Sequence, residues 1–476
     1  MMTRRRALQS LAGGAAAAGA RGAARRAGDK PNLLFLWTDQ QRADTMAAYG
    51  NTAFRMPALN RLAAESIVFD RCYDTQPVCT PARSSVMCGQ WPHTTGLVRN
   101  NIPLPQSFPV MPQLLNDSSY RTGYFGKWHL GDEVFAQRGF EQWVSIEDYM
   151  YAEYFSAGRD RNARSSYDAF LRKLGYKPDR KDGMFSRQFS TTLPVEHCKP
   201  AFLASHAQNF ILANRAEPWM LYVNFLEPHT PHNGPYNNLH SAEEAPLAAN
   251  YPGRPIEREP EAYRRSRRKG APEREEMQQL RRNYAGLCTQ MDQAVGRILW
   301  ALEASGQAEN TIIVFTSDHG EMGGSHGLLA KGVFYEEAVR IPLLARVPWR
   351  QKRQVRVAQP VSHIDIVPTL LEWMGARNPG GLAGESLTPL VEGRTRADAH
   401  VIIEWDNPLS RAVISPEGWK MALFRDDNCL LFDRNRDPLE ENNLFYKPES
   451  AATVRKMRAA LEAWQRRTKD TAAVSS

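Results

Sequence analysis

Three short stretches of nearly uninterrupted apolar residues stand out along the chain, at 32–38 (NLLFLWT), 219–225 (WMLYVNF) and 311–316 (TIIVFT). Continuous rather than alternating hydrophobicity over so few positions predicts strands buried on both faces, as in a parallel sheet covered by helices. Between them the apolar spacing lengthens to a helical period, at 57–66 and most clearly at 277–305. Strands alternating with helices predict a doubly wound α/β architecture with a mostly parallel central sheet. From about residue 385 the texture changes. Short alternating runs at 400–405, 412–415, 419–424 and 430–432 predict a small antiparallel sheet, and 451–467 predicts a closing helix. The expected organisation is a main domain over 29–384 and a C-terminal α+β subdomain over 385–476.

Each buried run ends in groups able to do chemistry. The first delivers Asp39-Gln40-Gln41-Arg42, the second Glu227-Pro228-His229-Thr230, and the third Ser317-Asp318-His319-Gly320. Open α/β sheets bind their ligands at the carboxyl ends of such strands. Two stretches do not fit the alternation. Residues 145–195 are polar and aromatic and are expected to be an insertion over the site. Residues 254–282, rich in Arg and Glu, are expected to be a solvated linker and helix face, with a basic rim for an anionic polymer as the sharper alternative.

Composition narrows the class. The chain has 476 residues, 42% hydrophobic and 24% charged, ordinary for a globular protein with a sizeable core. The formal charge of +8 comes mostly from the N-terminus, where Arg4, Arg5, Arg6, Arg21, Arg25 and Arg26 stand without an acid. Without those six, 54 Lys and Arg face 52 Asp and Glu, which gives no case for a nucleic-acid partner. The arginine cluster precedes a mildly apolar stretch, Ala7 to Ala20, too short and too weakly apolar to span a membrane. Residues 1–28 therefore read as an export signal of twin-arginine type to the periplasm, against the plainer reading of a basic tail. No other stretch reads as a membrane span. The six cysteines are scattered, with no C-x-x-C pair and no zinc spacing, and an exported protein is free to pair some of them.

One cysteine stands apart. Cys79-Thr80-Pro81-Ala82-Arg83 fits C-x-P-x-R, and Gly126-Lys127-Trp128-His129-Leu130-Gly131 and His326 to Lys331 lie downstream in order. With the strand-end acids, this set resembles the type I sulfatases of the alkaline phosphatase superfamily, from about residue 31 to 375. The resemblance implies an alkaline-phosphatase-like fold and conversion of Cys79 to formylglycine by a separate maturation enzyme that reads the motif. Ala82 stands where serine is commoner. It further implies a cation held by Asp39, Gln40, Asp318 and His319, with residue 79 completing the site. Two carboxylates ending separate strands suit a hard ion, and calcium is expected, with magnesium or manganese as alternatives. Most of the family carries Asp at the position of Gln40, and often Asn at that of His319, so this ligand set bears less charge.

The resemblance also assigns the remaining roles. An aldehyde hydrate has two hydroxyls: one attacks sulfur, and deprotonation of the other expels sulfate from the covalent intermediate. Lys127 is expected to bind sulfate, His129 to act as the base, His229 and Lys331 to bind sulfate and protonate the leaving alcohol, and Arg83 to steady the hydrate. The implied substrate is a sulfated small molecule or oligosaccharide. A phosphonate monoester or phosphodiester hydrolase of the same superfamily, and a catalytically silent protein that binds sulfated glycans, are the alternatives. His232, His326 and His363 are left between pocket-lining and structural roles.

Overall fold

The computed structural model describes residues 30–147, 154–268, 270 and 272–474. The export-signal expectation at 1–28 lies outside the described residues. The first apolar run becomes β1 (Asn32–Asp39), buried along its whole length. It lies inside an eight-stranded sheet with β2 (Ile67–Phe69), β4 (Arg121–Gly126), β5 (Gln142–Val144), β6 (Trp219–Pro228), β7 (Thr311–Ser317), β9 (Leu343–Arg346) and β10 (Val355–Val357). The spatial order is β10-β2-β9-β7-β1-β6-β4-β5. Only β9 runs antiparallel to its neighbours, so the sheet is mostly parallel, as expected.

Both faces of β1 are covered, which is why its sequence shows no alternation. Leu34 and Leu36 pack with the helices Pro57–Ala64, Lys199–Ala213 and Arg274–Ala304 through Leu59, Leu203 and Ile298. Leu33, Phe35 and Trp37 face the helices Cys79–Cys88 and Ile366–Trp373 through Val86, Met87 and Leu370. Each such fully buried Leu or Phe contributes about 1.5–3 kcal/mol. A small three-stranded sheet of β3 (Cys72–Tyr73), β8 (Arg340–Ile341) and β11 (Val361–Ser362) lies beside the large one.

The C-terminal part holds a four-stranded antiparallel sheet of β12 (Val401–Asp406), β13 (Leu409–Ile414), β14 (Trp419–Phe424) and β15 (Leu430–Asp433). β13 begins three residues earlier than the apolar pattern suggests, because Ser410 and Arg411 break that pattern. Arg411 is nonetheless buried, its charge met by Asp470 at 2.9 Å. The helix Ala451–Thr468 covers one face through Met457, Leu461 and Trp464. The other face meets Tyr335 and Val339 of the main body. Lys420 pins that junction, with Glu336 at 2.9 Å, Glu440 at 2.5 Å and the Phe334 carbonyl at 2.8 Å.

The insertion at 145–195 does reach the site, as described below; its residues 148–153 lie outside the described residues. At 254–282 the reading of a solvated face holds for the helix Glu261–Arg268, where exposed Arg264 and Arg265 both rest on Glu261. All six cysteines are free and buried, so the pairing left open for an exported protein is not realised. Among the described residues no helix is long and apolar enough to cross a membrane.

Candidate active site

Strand register brings the acids together. Thr38 of β1 pairs with Ser317 of β7, so Asp39 and Asp318 leave the sheet side by side. Gln40 then turns the chain with φ +68°, a left-handed conformation uncommon outside glycine. Asp318 Oδ1 stabilises that turn by accepting from the backbone N–H of Gln40 at 3.0 Å and of His319 at 2.9 Å. On the other side of β1 the register slips, so that Asp39 lies opposite Pro228. This sets His229 Nε2 4.0 Å from Asp39 Oδ1.

Cys79 is the first residue of the buried helix Cys79–Cys88. Pro81 falls in the first turn, where its missing N–H costs no helical bond, and Gly89 ends the helix at φ +65°. The helix points its N-terminus at the acids. Cys79 Sγ lies 3.9 Å from Asp39 Oδ1 and 3.2 Å from His319 Nε2. Donor atoms of Asp39, Cys79, Asp318 and His319 all lie within 4.8 Å of one another, and all four residues are buried. His319 Nδ1 is 2.9 Å from the Gly320 carbonyl, which leaves Nε2 as the atom facing the cluster.

Cationic groups line the same pocket. One helical turn after Cys79, Arg83 spans both acids, with Nε donating to Asp318 Oδ2 at 2.9 Å and Nη2 to Asp39 Oδ2 at 3.0 Å. Its guanidinium also lies over the Trp37 ring, 4.9 Å from the centroid. Lys127 Nζ donates to Asp39 Oδ2 at 2.6 Å. The lysine follows Gly126 at φ +120°, where a Cβ would come within 1.9 Å of the Asn224 carbonyl oxygen, so only glycine lets β4 end there. Lys331 Nζ donates to Gln40 Oε1 and lies 3.2 Å from His229 Nε2. That contact makes His229 Nε2 the acceptor and Nδ1 the N–H, which donates to the Thr230 carbonyl at 2.8 Å.

The charges set each other's ionisation. Burial opposes a charge on Asp39, but the cations around it, Lys127 first and Arg83 among them, outweigh it and hold its carboxyl well below the usual range. Burial and Asp39 push the Cys79 thiol up, yet Lys127, Lys331 and His319 bring it down to about 7. Burial, then Lys331, keeps His229 neutral, and burial, then Lys127, does the same for His129. His319 moves the other way: burial opposes its proton, but Asp318 leads the groups that favour it.

Nine of the expected residues thus form one connected cluster: Asp39, Gln40, Cys79, Arg83, Lys127, His229, Asp318, His319 and Lys331. His129 sits at its edge in a left-handed conformation (φ +59°), with Nε2 2.7 Å from Asn101 Oδ1. Glu133 holds that turn by accepting from the backbone N–H of Trp128 at 2.8 Å and of His129 at 2.6 Å. The three undecided histidines take structural contacts. His232 packs edge-on against Tyr284, His326 stacks on Tyr335 at 3.7 Å, and His363 Nε2 donates to the Ser317 carbonyl at 2.9 Å.

Two residues escaped sequence reasoning. Glu321 Oε2 accepts from the Gln40 side-chain amide, while its Oε1 accepts from the backbone of Gly323 at 2.9 Å and Ala330 at 2.6 Å. It therefore fixes both the Gln40 amide and the loop that leads to Lys331. Arg187, from the insertion, is clamped by buried Glu147 and places Nη1 3.4 Å from His229 Nδ1. Glu321 lies three residues after Asp318, a proximity that hinted at a role; nothing local marked Arg187.

Known proteins resemble this chain over most of its length. The sulfatase family model matches residues 31–376, and that of the N-sulphoglucosamine sulphohydrolase C-terminal region matches 324–467. An ulvan-active sulfatase of Formosa agariphila is 30% identical over 88% of this chain and 78% of its own length. An N-acetylglucosamine-6-O-sulfatase of Bacteroides thetaiotaomicron is 28% identical over 93% of this chain and 87% of its own. Among solved structures, the phosphonate monoester hydrolase SpPMH of Silicibacter pomeroyi shares the fold, with a TM-score of 0.78 at 24% identity, covering 93% of this chain and 96% of that one. The chain belongs to the sulfatase family, sulfuric ester hydrolases with the alkaline-phosphatase-like fold.

Proposed function

We propose that the protein removes sulfate from a sulfated carbohydrate, using formylglycine made from Cys79 and a calcium ion held by Asp39, Gln40, Asp318 and His319. The observation that supports this most is the meeting of Cys79 Sγ with the donor atoms of two aspartates and a histidine inside 4.8 Å. The donor set fits a divalent ion: two carboxylates, an amide oxygen, and an imidazole whose Nε2 faces inward. Binding there displaces any proton on His319, since both compete for one lone pair. Magnesium and manganese are the alternatives. Bound, the ion supplies Lewis acidity that favours the ionised nucleophile.

Formylglycine, as its hydrate, offers one hydroxyl to attack sulfur and a second whose deprotonation releases sulfate. The chain's own residues do the rest. Lys127 and Lys331 present ammonium groups where sulfate oxygens arrive. Neutral His129 is the base for the second hydroxyl. His229 is neutral with Nε2 accepting from Lys331, 3.2 Å away, so His229 orients the Lys331 ammonium, which gives the proton that the leaving alcohol takes up. Arg83 keeps Asp39 and Asp318 oriented.

A carbohydrate substrate is supported by the ulvan-active and N-acetylglucosamine-6-O-sulfatase relatives. An exported location rests on the twin-arginine-like N-terminus. Mass spectrometry of the tryptic peptide Cys72–Arg83 from the native host tests the reading: formylglycine is expected at position 79. An intact thiol there removes the mechanism and favours the silent glycan-binding alternative. Faster turnover of an aryl phosphonate than of an aryl sulfate would instead favour the phosphonate hydrolase.

The geometry makes Glu321 a positioning residue for Gln40. Glu321→Gln keeps the shape but replaces one acceptor oxygen with a donor. Calcium affinity, read by calorimetric titration, is expected to fall about 10- to 100-fold with the circular dichroism spectrum unchanged. Unchanged affinity would remove Gln40 from the ligand set.

A further inference from the structure

A cavity of about 390 Å³ opens between the end of β1, the Arg274–Ala304 helix and the C-terminal part, and its lining includes none of the residues assigned above. Its walls are charged. Four arginines face three carboxylates: Arg42, Arg281, Arg340 and Arg434 against Asp44, Glu336 and Glu337. The pairing within this set is uneven.

Arg42 is fully engaged. Its Nε and Nη2 donate to Asp44 at 2.7 and 2.6 Å, and its Nη1 donates to the carbonyls of Glu321 and Met322 at 3.2 and 3.1 Å. Arg434 is held by Glu336 at 2.7 Å. Arg340 donates to the Asp70 carbonyl at 3.0 and 2.6 Å. Among the described residues Arg281 bonds only to the Pro246 carbonyl, which accepts from its Nε at 3.0 Å. Among the described residues no carboxylate oxygen comes within 4.0 Å of its guanidinium, so both its Nη groups lack an anionic partner. Burial, then the neighbouring Arg42, pushes its pKa down to about 10 against the opposing pull of Asp44 and Glu321.

Among the lining residues Arg281 and Arg340 both lack a carboxylate partner against one unpaired carboxylate, Glu337, so one positive charge is in excess. Arg281, with both Nη groups unengaged, is the side chain shaped to take two oxygens of a carboxylate or sulfate. Asp44 lines the cavity with its side chain about half exposed, and among the described residues no cation lies within 4.0 Å of Glu337; both are acceptors for hydroxyls. The volume suits a small ligand, and walls that mix charged groups with Leu247, Ala248 and Leu439 suit a sugar, which presents both hydroxyls and C–H faces. We propose that this cavity is a second binding site, for an anionic sugar unit whose carboxylate or sulfate oxygens pair with Arg281. None of the residues lining it has a role in the chemistry proposed at Cys79.

Isothermal titration with three probes tests it: glucuronate, 6-deoxy-6-sulfoglucose, whose carbon–sulfur bond a sulfatase does not hydrolyse, and glucose. At least one anionic sugar is expected to bind the wild type about tenfold or more tighter than glucose. Binding of glucuronate alone assigns the carboxylate, and of the sulfo-sugar alone the sulfate. Arg281→Met, which removes the charge, and Ala248→Trp, which fills the cavity, are each expected to weaken that binding about tenfold or more while aryl sulfate turnover is unchanged. Turnover certifies the fold of each variant. Anionic-sugar binding that survives in both variants, or is absent from the wild type at tens of millimolar, overturns the proposal.

Discussion

Cys79→Ser is expected to stop repeated turnover of an aryl sulfate, lowering the steady-state rate about 10³-fold or more. Serine offers a single hydroxyl. Its oxygen attacks sulfur, the phenol leaves with the proton, and a sulfate ester remains on residue 79. No second hydroxyl is present to expel that sulfate, so the enzyme stalls after one cycle. The cluster around position 79 is otherwise kept: Cys79 is buried, and oxygen in place of sulfur at the head of the same helix changes little volume. Intact-protein mass spectrometry after incubation with substrate is expected to show one sulfate per chain, alongside a stoichiometric burst of phenol. Wild-type turnover by the serine variant would exclude the aldehyde route altogether.

The second large effect is on stability. Arg83 is fully buried between Asp39 and Asp318, themselves fully buried, and bonds to them at 3.0 and 2.9 Å, whereas His319 Nε2 stands off both at 3.8 and 3.6 Å. Arg83→Met keeps the length and apolar stem but leaves Asp318 with the longer contact to His319 at 3.6 Å, and Asp39 with Lys127 at 2.6 Å and His319 at 3.8 Å. Uncompensated buried charge of this kind costs about 3–5 kcal/mol. The comparison belongs in a Cys79→Ala background, because Arg83 is also part of the maturation motif, and without added calcium. Urea unfolding reads it out. Arg264→Met serves as control: Arg264 is 46% exposed and pairs only with Glu261 on the surface, so its loss costs at most about 1 kcal/mol. Equal losses in the two variants would mean that Arg83 does not hold the acids in place.

Much of this was written locally. The unbroken hydrophobicity of β1, β6 and β7 reflects burial on both sheet faces, and it identified the three strands that carry Asp39, His229 and Asp318. The C-x-P-x-R segment announced a helix start as well as a modification motif, because proline is tolerated only in the first turn. Where local pattern failed, long-range pairing was responsible. β13 looked short because Arg411 is polar, and its burial is tolerated only through Asp470, fifty-nine positions away in the chain. The insertion gave no periodic signal, yet its Arg187 reaches His229 because Glu147 and Lys199 close an ion-pair network under it.

The kinds of group at the site, and the strands that deliver them, were legible in the residues alone, since hydrophobic period and turn chemistry act over a few positions. The arrangement of those groups was not. That Thr38 pairs with Ser317, that Glu321 grips the Gln40 amide, and that Arg281 lines a cavity with no ion-pair partner among the described residues depend on sheet register and on contacts between segments far apart in the chain. Such contacts form only when the whole core packs, because the free energy that orders each of them comes from burial elsewhere in the molecule.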